Sequence, residues 1–222
     1  MPSLFQALFH PSSSVEQSRA DVLEMIRSCQ DMYVMVLQAL KDEHPDHTVE
    51  RVGAMDLRIN KLQLDVRRRS YQHMALKPGK ELLPTLQLNE IVGEIERVGD
   101  YSKDIADLAE MIPGGVNWDK YEEGMATLKD QIVEMFALTE QTIDTGDESA
   151  SARATELFES ISRYTDATLA EAIRQDPGEE ELVERWLLAL VLMLRYSKRV
   201  AAHLRNAVLT ISNPYQRLGY RP

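Results

Sequence analysis

Apolar residues recur in steps of three and four along six long segments of this 222-residue chain. This spacing places them on one face of an α-helix, which can then pack against a neighbouring helix. No segment shows the alternating pattern of a β-strand. The sequence therefore predicts an all-α protein of six helices, each about twice the usual length. Proline and glycine separate the segments, at Pro45, Pro78-Gly79, Pro113-Gly114-Gly115, Pro177-Gly178 and Pro214.

The six predicted helices form two sets of three with matching patterns. A shift of about a hundred residues lays the apolar positions of the third helix on those of the sixth, and places Asp56-Leu57 near Glu156-Leu157. We interpret the match as an internal duplication, which predicts two tandem three-helix bundles packed as one unit. The first would span residues 1–113 and the second residues 114–222. The paired positions are Ile95 with Ser197, Val98 with Val200, Ser102 with Leu204, and Ala109 with Ile211.

Charge and composition limit the classes of function. The formal net charge is −11, which would repel the phosphate backbone of a nucleic acid. A single cysteine, Cys29, excludes an internal disulfide and is typical of a reducing compartment. No secretory signal is visible, and the longest apolar run, residues 186–194, is too short to span a membrane. We therefore expect a cytoplasmic protein without a nucleic-acid partner.

The third helix carries a pair of carboxylates. Glu96 and Asp100 are four residues apart, which places them one turn apart on one face of the helix. The two carboxylates could be ligands for a cation. Alternatively, they could lie on a solvent-exposed face and form ion pairs with Arg97 and Lys103. Gly99 lies between them, and glycine inside a helix costs about 1 kcal/mol relative to alanine. This cost suggests that a neighbouring helix approaches closely there.

Two short motifs identify a family resemblance. The second helix reads Asp-x-x-Ile-Asn, from Asp56 to Asn60, and the third reads Glu-Ile-Glu-Arg-Val-Gly-Asp, from Glu94 to Asp100. Together with the duplicated three-helix pattern, these strings resemble the PhoU family of phosphate-uptake regulators, whose hallmark is Glu-Arg-Ile-Gly-Asp once per bundle. The resemblance covers nearly the whole chain in architecture, while the specific strings lie in its first half.

The resemblance implies a metal site on the bundle surface. Carried over to this chain, Glu96 and Asp100 would be ligands, and Asp56 and Asn60 would face them from the second helix. Ligation by oxygen alone suits Mg²⁺, Mn²⁺, Ca²⁺ or iron and does not choose among them. The second half departs from the family pattern, because Lys198 and Ala202 replace the two acids there. The early Asp-Leu-Arg of many members is also missing, since Glu81-Leu82-Leu83 stands in its place. One metal face is therefore expected.

The resemblance also implies a non-enzymatic, regulatory function. A PhoU-like protein would regulate phosphate transport by contacting a phosphate transporter component or a sensor histidine kinase at the inner membrane face, and a homodimer is plausible. One alternative is a helical scaffold or adaptor without metal. Another is a carboxylate-bridged metalloenzyme, which needs Glu-x-x-His pairs. None of the histidines has a glutamate three residues before it, and there is no glycine-rich phosphate loop, so an enzyme is not expected.

Three other features have two interpretations each. His44, Asp46 and His47 resemble a metal cluster but straddle Pro45, where a turn and a helix cap are expected. The run from Arg67 to Arg69 suits the carboxyl end of a helix, or an acidic partner or membrane surface. The apolar side chains near the N-terminus could dock on the bundle or on a partner; they are Leu4, Phe5, Leu8 and Phe9.

Overall fold

The computed structural model confirms an all-α fold. It describes residues 13–41, 46–77, 79–112, 115–116, 119–147, 149–174 and 185–213, and no strand occurs in these ranges. A short 3₁₀ turn, Asp119–Tyr121, precedes the fourth helix. The α-helices are α1 (Ser13–Ala39), α2 (Asp46–Leu76), α3 (Leu82–Met111), α4 (Glu122–Thr145), α5 (Ala150–Arg174) and α6 (Arg185–Ser212).

The helices form the two predicted three-helix bundles. Helices α1, α2 and α3 each pack against the other two, and α4, α5 and α6 do the same. The bundles meet where α3 packs along α6 and where α1 packs on α4. Helices α3 and α6 are antiparallel, because Gln87 near the start of α3 donates to the Thr210 carbonyl near the end of α6. The predicted boundary at residue 113 lies outside the described residues, so the division into domains stays a prediction.

The apolar positions read from the sequence form the core. Nearly all of them are buried in the structure, and the Cys29 side chain is wholly buried among them. Burial of an apolar side chain of this size stabilises the folded state by about 1.5–3 kcal/mol. Four positions lie at the edge of the core and pack against it while partly exposed: Met55, Leu62, Ile112 and Tyr164.

The structure refines the register of the internal repeat. Asp56-Leu57 lies near Glu156-Leu157 under the predicted shift but not in register with it, because Leu57 is exposed while Leu157 is buried. The shift of 102 residues that joins Ile95 to Ser197 matches the burial pattern of α2 to that of α5. The positions matched by this shift are buried in both helices: Val52 with Ala154, Ile59 with Ile161, and Val66 with Thr168.

The helix ends agree with the proline and glycine breaks, although several predictions lie outside the described residues. These are His44, the N-terminal apolar side chains, and the breaks at Pro177-Gly178 and Pro214. Helix α2 begins at Asp46, and the side chain of His47 is exposed. No helix in the described ranges combines the length and apolar composition needed to cross a membrane.

Candidate functional site

Asp56 is the buried member of the predicted site. It lies on the side of α2 that faces α3, and only 6% of its surface is exposed. Its Oδ2 accepts a hydrogen bond of 3.3 Å from Asn60 Nδ2 and lies 3.6 Å from Lys103 Nζ on α3. Its Oδ1 is buried and accepts no hydrogen bond from the described residues. A buried carboxylate oxygen without a hydrogen-bond partner raises the free energy of the folded state. A group that binds this oxygen would therefore stabilise the folded state.

Glu96 and Asp100 lie beside Asp56 and share its electrostatic environment. Partial burial raises the pKa of Glu96, and the charge of Asp100 raises it further. Burial likewise raises the pKa of Asp100, with the charge of Asp56 as the next cause. Like charges held close together make ionisation of each less favourable. We call Asp56, Glu96 and Asp100 the acidic face. The structure thus places the three predicted carboxylates within electrostatic range of one another, with Asn60 hydrogen-bonded to Asp56.

Gly99 explains how two helices bring these carboxylates together. A Cβ atom at this position would lie 3.4 Å from Ile59 Cδ1 and 3.7 Å from Cys29 Sγ. These are ordinary van der Waals distances for a Cβ atom, so α1 and α2 pack against Gly99 without an approach close enough to require glycine, and the expectation of a close approach is not borne out. Ile59 is one turn from Asp56 on α2, and Gly99 is adjacent to Asp100 on α3. The packing of Ile59 on Gly99 therefore sets Asp56 against Asp100.

Cys29 lies beneath the acidic face and belongs to the core. Its thiol donates to the Ile95 carbonyl over 3.4 Å. Burial raises the pKa of the Cys29 thiol far above its ordinary value, and the charges of Asp56 and Asp100 add to this effect. Because the thiolate is the reactive form of cysteine, this side chain is not an activated nucleophile.

The acidic face meets some requirements of a metal site. Its donors are hard carboxylate oxygens, and Asp56 Oδ1 has no hydrogen-bond partner within the described residues. However, among the residues that the structure describes, no three His, Cys, Asp or Glu side chains are arranged to hold a metal ion. The Lys103 ammonium already supplies a positive charge beside Asp56. The residue types therefore suit a hard cation, which would have to compete with Lys103.

The second bundle has replaced this arrangement with another. The shift of 102 residues places Phe158 at the position of Asp56 and Arg205 at the position of Lys103. The Arg205 guanidinium lies 4.0 Å from the centre of the Phe158 ring, so a cation–π contact stands where the first bundle has an ion pair. Lys198, at the position of Glu96, binds Asp166 over 2.7 Å. This face of the second bundle therefore lacks the carboxylates of the first.

A buried polar network between the bundles was missed by the sequence analysis. His203 Nδ1 on α6 lies 2.7 Å from Glu94 Oε2 on α3, and Asn206 Nδ2 donates to the same oxygen over 3.0 Å. Glu94 and His203 are almost completely buried. The His203 ring stacks on Tyr101, with 5.6 Å between ring centres, and Arg199 Nε donates to the Tyr101 hydroxyl. The only available signal was that His203 occupies the repeat position of Tyr101.

Comparisons with known proteins agree with this architecture. Residues 22–109 match the family model described as "PhoU domain". A search of curated proteins finds no match. Among solved structures, the chain is similar to PhoU from Pseudomonas aeruginosa, with a TM-score of 0.80 and 18% identity, covering 91% of this chain and 98% of that one.

A second solved structure has the same fold. It is the phosphate transport system regulatory protein PhoU from Streptococcus pneumoniae, with a TM-score of 0.76 and 16% identity. The match covers 90% of this chain and 95% of that one. Likeness at this identity establishes the fold, while the family model identifies the domain. The resemblance to the PhoU family is therefore confirmed: the chain carries a PhoU domain at residues 22–109, within a fold that it shares with two bacterial PhoU proteins.

Proposed function

We propose that this protein regulates phosphate uptake by protein–protein contact, without catalysing a reaction. The observation that carries the proposal is the PhoU domain at residues 22–109, which contains the whole acidic face. The similar protein from Streptococcus pneumoniae is a phosphate transport system regulatory protein. The proposed partners are a phosphate transporter component and a sensor histidine kinase, contacted at the inner membrane face by a cytoplasmic homodimer.

The chemistry of the described residues supports a binding role for the acidic face. Its carboxylates stand beside Asn60 and Lys103, whose side chains can bind charged groups. The nearby thiol of Cys29 is buried and protonated. A face of this kind can hold a cation or a basic group of a partner, and this supports regulation rather than catalysis.

The regulatory role predicts a phenotype that depends on the acidic face. Deleting the gene in its host should uncouple phosphate uptake and phosphate-responsive expression from the external phosphate concentration, and the wild-type gene should restore both. The double variant Glu96→Lys/Asp100→Ala, which copies the residues of the second half, should fold and fail to restore them. Reporter expression and radiolabelled phosphate uptake measure the effect.

A matched control separates the acidic face from negative charge in general. The variant Glu123→Ala/Asp130→Ala removes two exposed acids from α4 and should restore regulation fully. An unchanged phosphate response after deletion of the gene would contradict the regulatory role. Full restoration by the Glu96→Lys/Asp100→Ala variant would show that the acidic face takes no part.

We further propose that a divalent cation and the Lys103 ammonium are alternative counter-charges for the acidic face. The unsatisfied Asp56 Oδ1 and the raised pKa values of Glu96 and Asp100 support this proposal. Glu96, Asp100 and Asp56 would hold the ion, with Asn60 supporting Asp56. The bound ion would stabilise the ionised carboxylates of the acidic face, whose mutual repulsion otherwise lowers the stability of the folded state. The metal-free adaptor remains the competing interpretation, in which Lys103 is the permanent counter-charge.

Thermal unfolding at several pH values distinguishes the two interpretations. The pKa of each acid is raised in the folded state, so metal-free protein loses stability as the pH rises from the ordinary pKa to the raised one. Asp100→Asn should therefore be more stable than wild type at pH 7 in EDTA and equal to it in strong acid. We expect a gain below about 1 kcal/mol, because water screens these partly exposed charges.

Added Mn²⁺ or Mg²⁺ should then raise the melting temperature of wild type and leave that of Asp100→Asn unchanged. Lys103→Ala should strengthen the response to the ion, because it removes the competing charge. Equal responses of wild type and Asp100→Asn would exclude a cation at the acidic face. No response in any variant would favour the adaptor without metal.

A further inference from the structure

Helix α2 presents an apolar stripe to solvent. Leu57, Leu64 and Tyr71 have 71%, 60% and 58% of their surfaces exposed, which is unusual for side chains of this size. They are seven residues apart, close to two helical turns, so they lie in line on one side of the helix. The line is about 21 Å long at the rise of an α-helix. We call these three residues the α2 stripe.

The rest of the described chain leaves the α2 stripe uncovered. Helix α2 packs on α1 and α3 and makes no contact with the helices of the second bundle. Its core side is formed by other residues, among them Val52, Ile59 and Val66, all of which are buried. The α2 stripe is therefore a second apolar face of the same helix, and it adds nothing to the core.

The surroundings of the α2 stripe are basic around Leu64. Lys61 and Arg68, three residues before and four residues after Leu64, are exposed beside the stripe, whereas Arg51 and Arg58 are exposed farther round the helix. Glu50, the one fully exposed acid of the helix among the described residues, lies seven residues before Leu57, at the amino-terminal end of the stripe. This is a local reversal of sign in a chain with a formal net charge of −11. A field of this kind favours partners of negative charge and discriminates against basic ones.

Only part of this positive charge is neutralised internally. Arg58 binds Glu24 of α1 over 2.6 Å, and Arg68 lies 3.8 Å from Asp65 one turn away. Arg51 and Lys61 make no ion pair within the described ranges. The Lys61 ammonium therefore remains without an ion pair among the described residues, one turn from Leu64, and the weakly paired Arg68 lies on the same flank.

We propose that the α2 stripe is a docking surface for an acidic amphipathic helix of a partner protein. Leucines at seven-residue spacing are the knobs that pack into the surface of a second helix. Basic residues flanking such a line pair with glutamates that flank the apolar face of the partner. The partner segment would therefore carry apolar residues in steps of three and four, bordered by glutamate or aspartate.

Two other occupants fit this surface less well. A second copy of α2 would bring the cations around Lys61 and Arg68 against their own equivalents, and like charges repel. An anionic membrane requires a broad apolar face, whereas this stripe is one residue wide and has charges one turn away on either side. The net charge of −11 also opposes approach to an anionic surface.

The inference rests on the proposed function in one respect, because a regulator that acts by protein–protein contact needs a docking surface. The test uses the full-length protein and a panel of fluorescent helical peptides with leucine-containing heptads. Glutamates border the leucines in one set, and lysines replace those glutamates in a matched set. Fluorescence anisotropy should show salt-sensitive binding of the acidic set, with the basic set at least about tenfold weaker.

Variants locate the binding on α2. Leu64→Asp should weaken binding of the acidic peptides about tenfold or more, and Lys61→Glu/Arg68→Glu should shift preference to the basic peptides. Leu188→Asp is the matched control, because Leu188 is 54% exposed on α6, and it should bind like wild type. Because these side chains are exposed, circular dichroism should show unchanged folding in every variant.

The contrary outcomes are specific. Absence of acidic-peptide binding, or equal binding by Leu64→Asp and wild type, overturns the docking surface. Flotation on phosphatidylglycerol vesicles that is abolished by Leu64→Asp, without peptide binding, would identify a membrane as the occupant and also overturn it. Normal phosphate regulation in a strain lacking the gene would contradict the proposed function alone, because peptide binding is measured independently.

Discussion

Replacing Glu94 by alanine should lower the free energy of unfolding by about 3–5 kcal/mol. The Glu94 carboxylate is buried between α3 and α6 and accepts hydrogen bonds from two residues of the opposite bundle, His203 and Asn206. Its removal leaves polar groups of both residues in the core without this acceptor, and water cannot replace it without opening the interface. Urea denaturation followed by circular dichroism measures the loss.

Two further variants test the cause of this loss. Glu94→Gln keeps one acceptor oxygen and the approximate volume, so its loss should be clearly smaller. Glu110→Ala removes an exposed acid from the same helix and should change stability by less than about 0.5 kcal/mol. In a double-mutant cycle, Glu94→Ala and His203→Ala should be strongly non-additive. Additive losses would show that the pair contributes no coupling between the bundles.

This network lies where the two halves of the molecule meet. Glu94 is two residues from Glu96 on α3, so the buried network and the acidic face share one helix. Arg199 links the network outward, since its guanidinium lies over the Tyr101 ring at 5.6 Å. A change in the packing of α3 on α6 would therefore also move the Glu96 side chain at the acidic face.

Replacing Gly115 by alanine should lower the free energy of unfolding by about 2–4 kcal/mol, from backbone strain together with overpacking. Gly115 connects the two bundles and has a φ angle of +75°, a region that residues with a Cβ adopt at a cost. A Cβ there would lie 2.9 Å from the backbone oxygen of Lys41. This oxygen cannot move easily, because the next connecting residue, Val116, is anchored by donating to the Leu40 carbonyl over 2.7 Å.

Gly79 provides the matched control. Its φ angle is +80°, but a Cβ at this position would meet nothing within 4 Å. Gly79→Ala should therefore show the strain alone, about 1–2 kcal/mol. The difference between the two variants measures the close approach of the connector to the end of α1. Equal losses in thermal or chemical denaturation would mean that the connector accommodates the methyl group.

Local signals were sufficient to predict the helices. Steps of three and four residues identified the buried side of each helix, and the breaks at proline and glycine marked their ends. The exact register between α2 and α5 could not be read from Asp56-Leu57 and Glu156-Leu157, although the two strings are alike in residue type. Leu57 faces solvent and Leu157 faces the core, a difference that depends on how each helix is rotated in its bundle.

The candidate site was only partly readable from the sequence. The spacing of Glu96 and Asp100 predicted a shared face, whereas the presence of Gly99 suggested a closer helix approach than the ordinary contact that Ile59 makes. Sequence could not show that Lys103 lies beside Asp56, because the two residues are on different helices. The same limit hid the pairing of Glu94 with His203, since an acid and a histidine 109 residues apart carry no common pattern.

The all-α class, the duplicated three-helix plan and the carboxylate pair on α3 could be predicted from the residues alone. These follow from periodicity and local conformational preference, which act over a few residues of the chain. The packing of the helices sets which charges are buried, which are paired, and which apolar residues remain outside the core. Those properties depend on the rotation and contact of helices distant in sequence, and the burial that results governs the energy of each polar group.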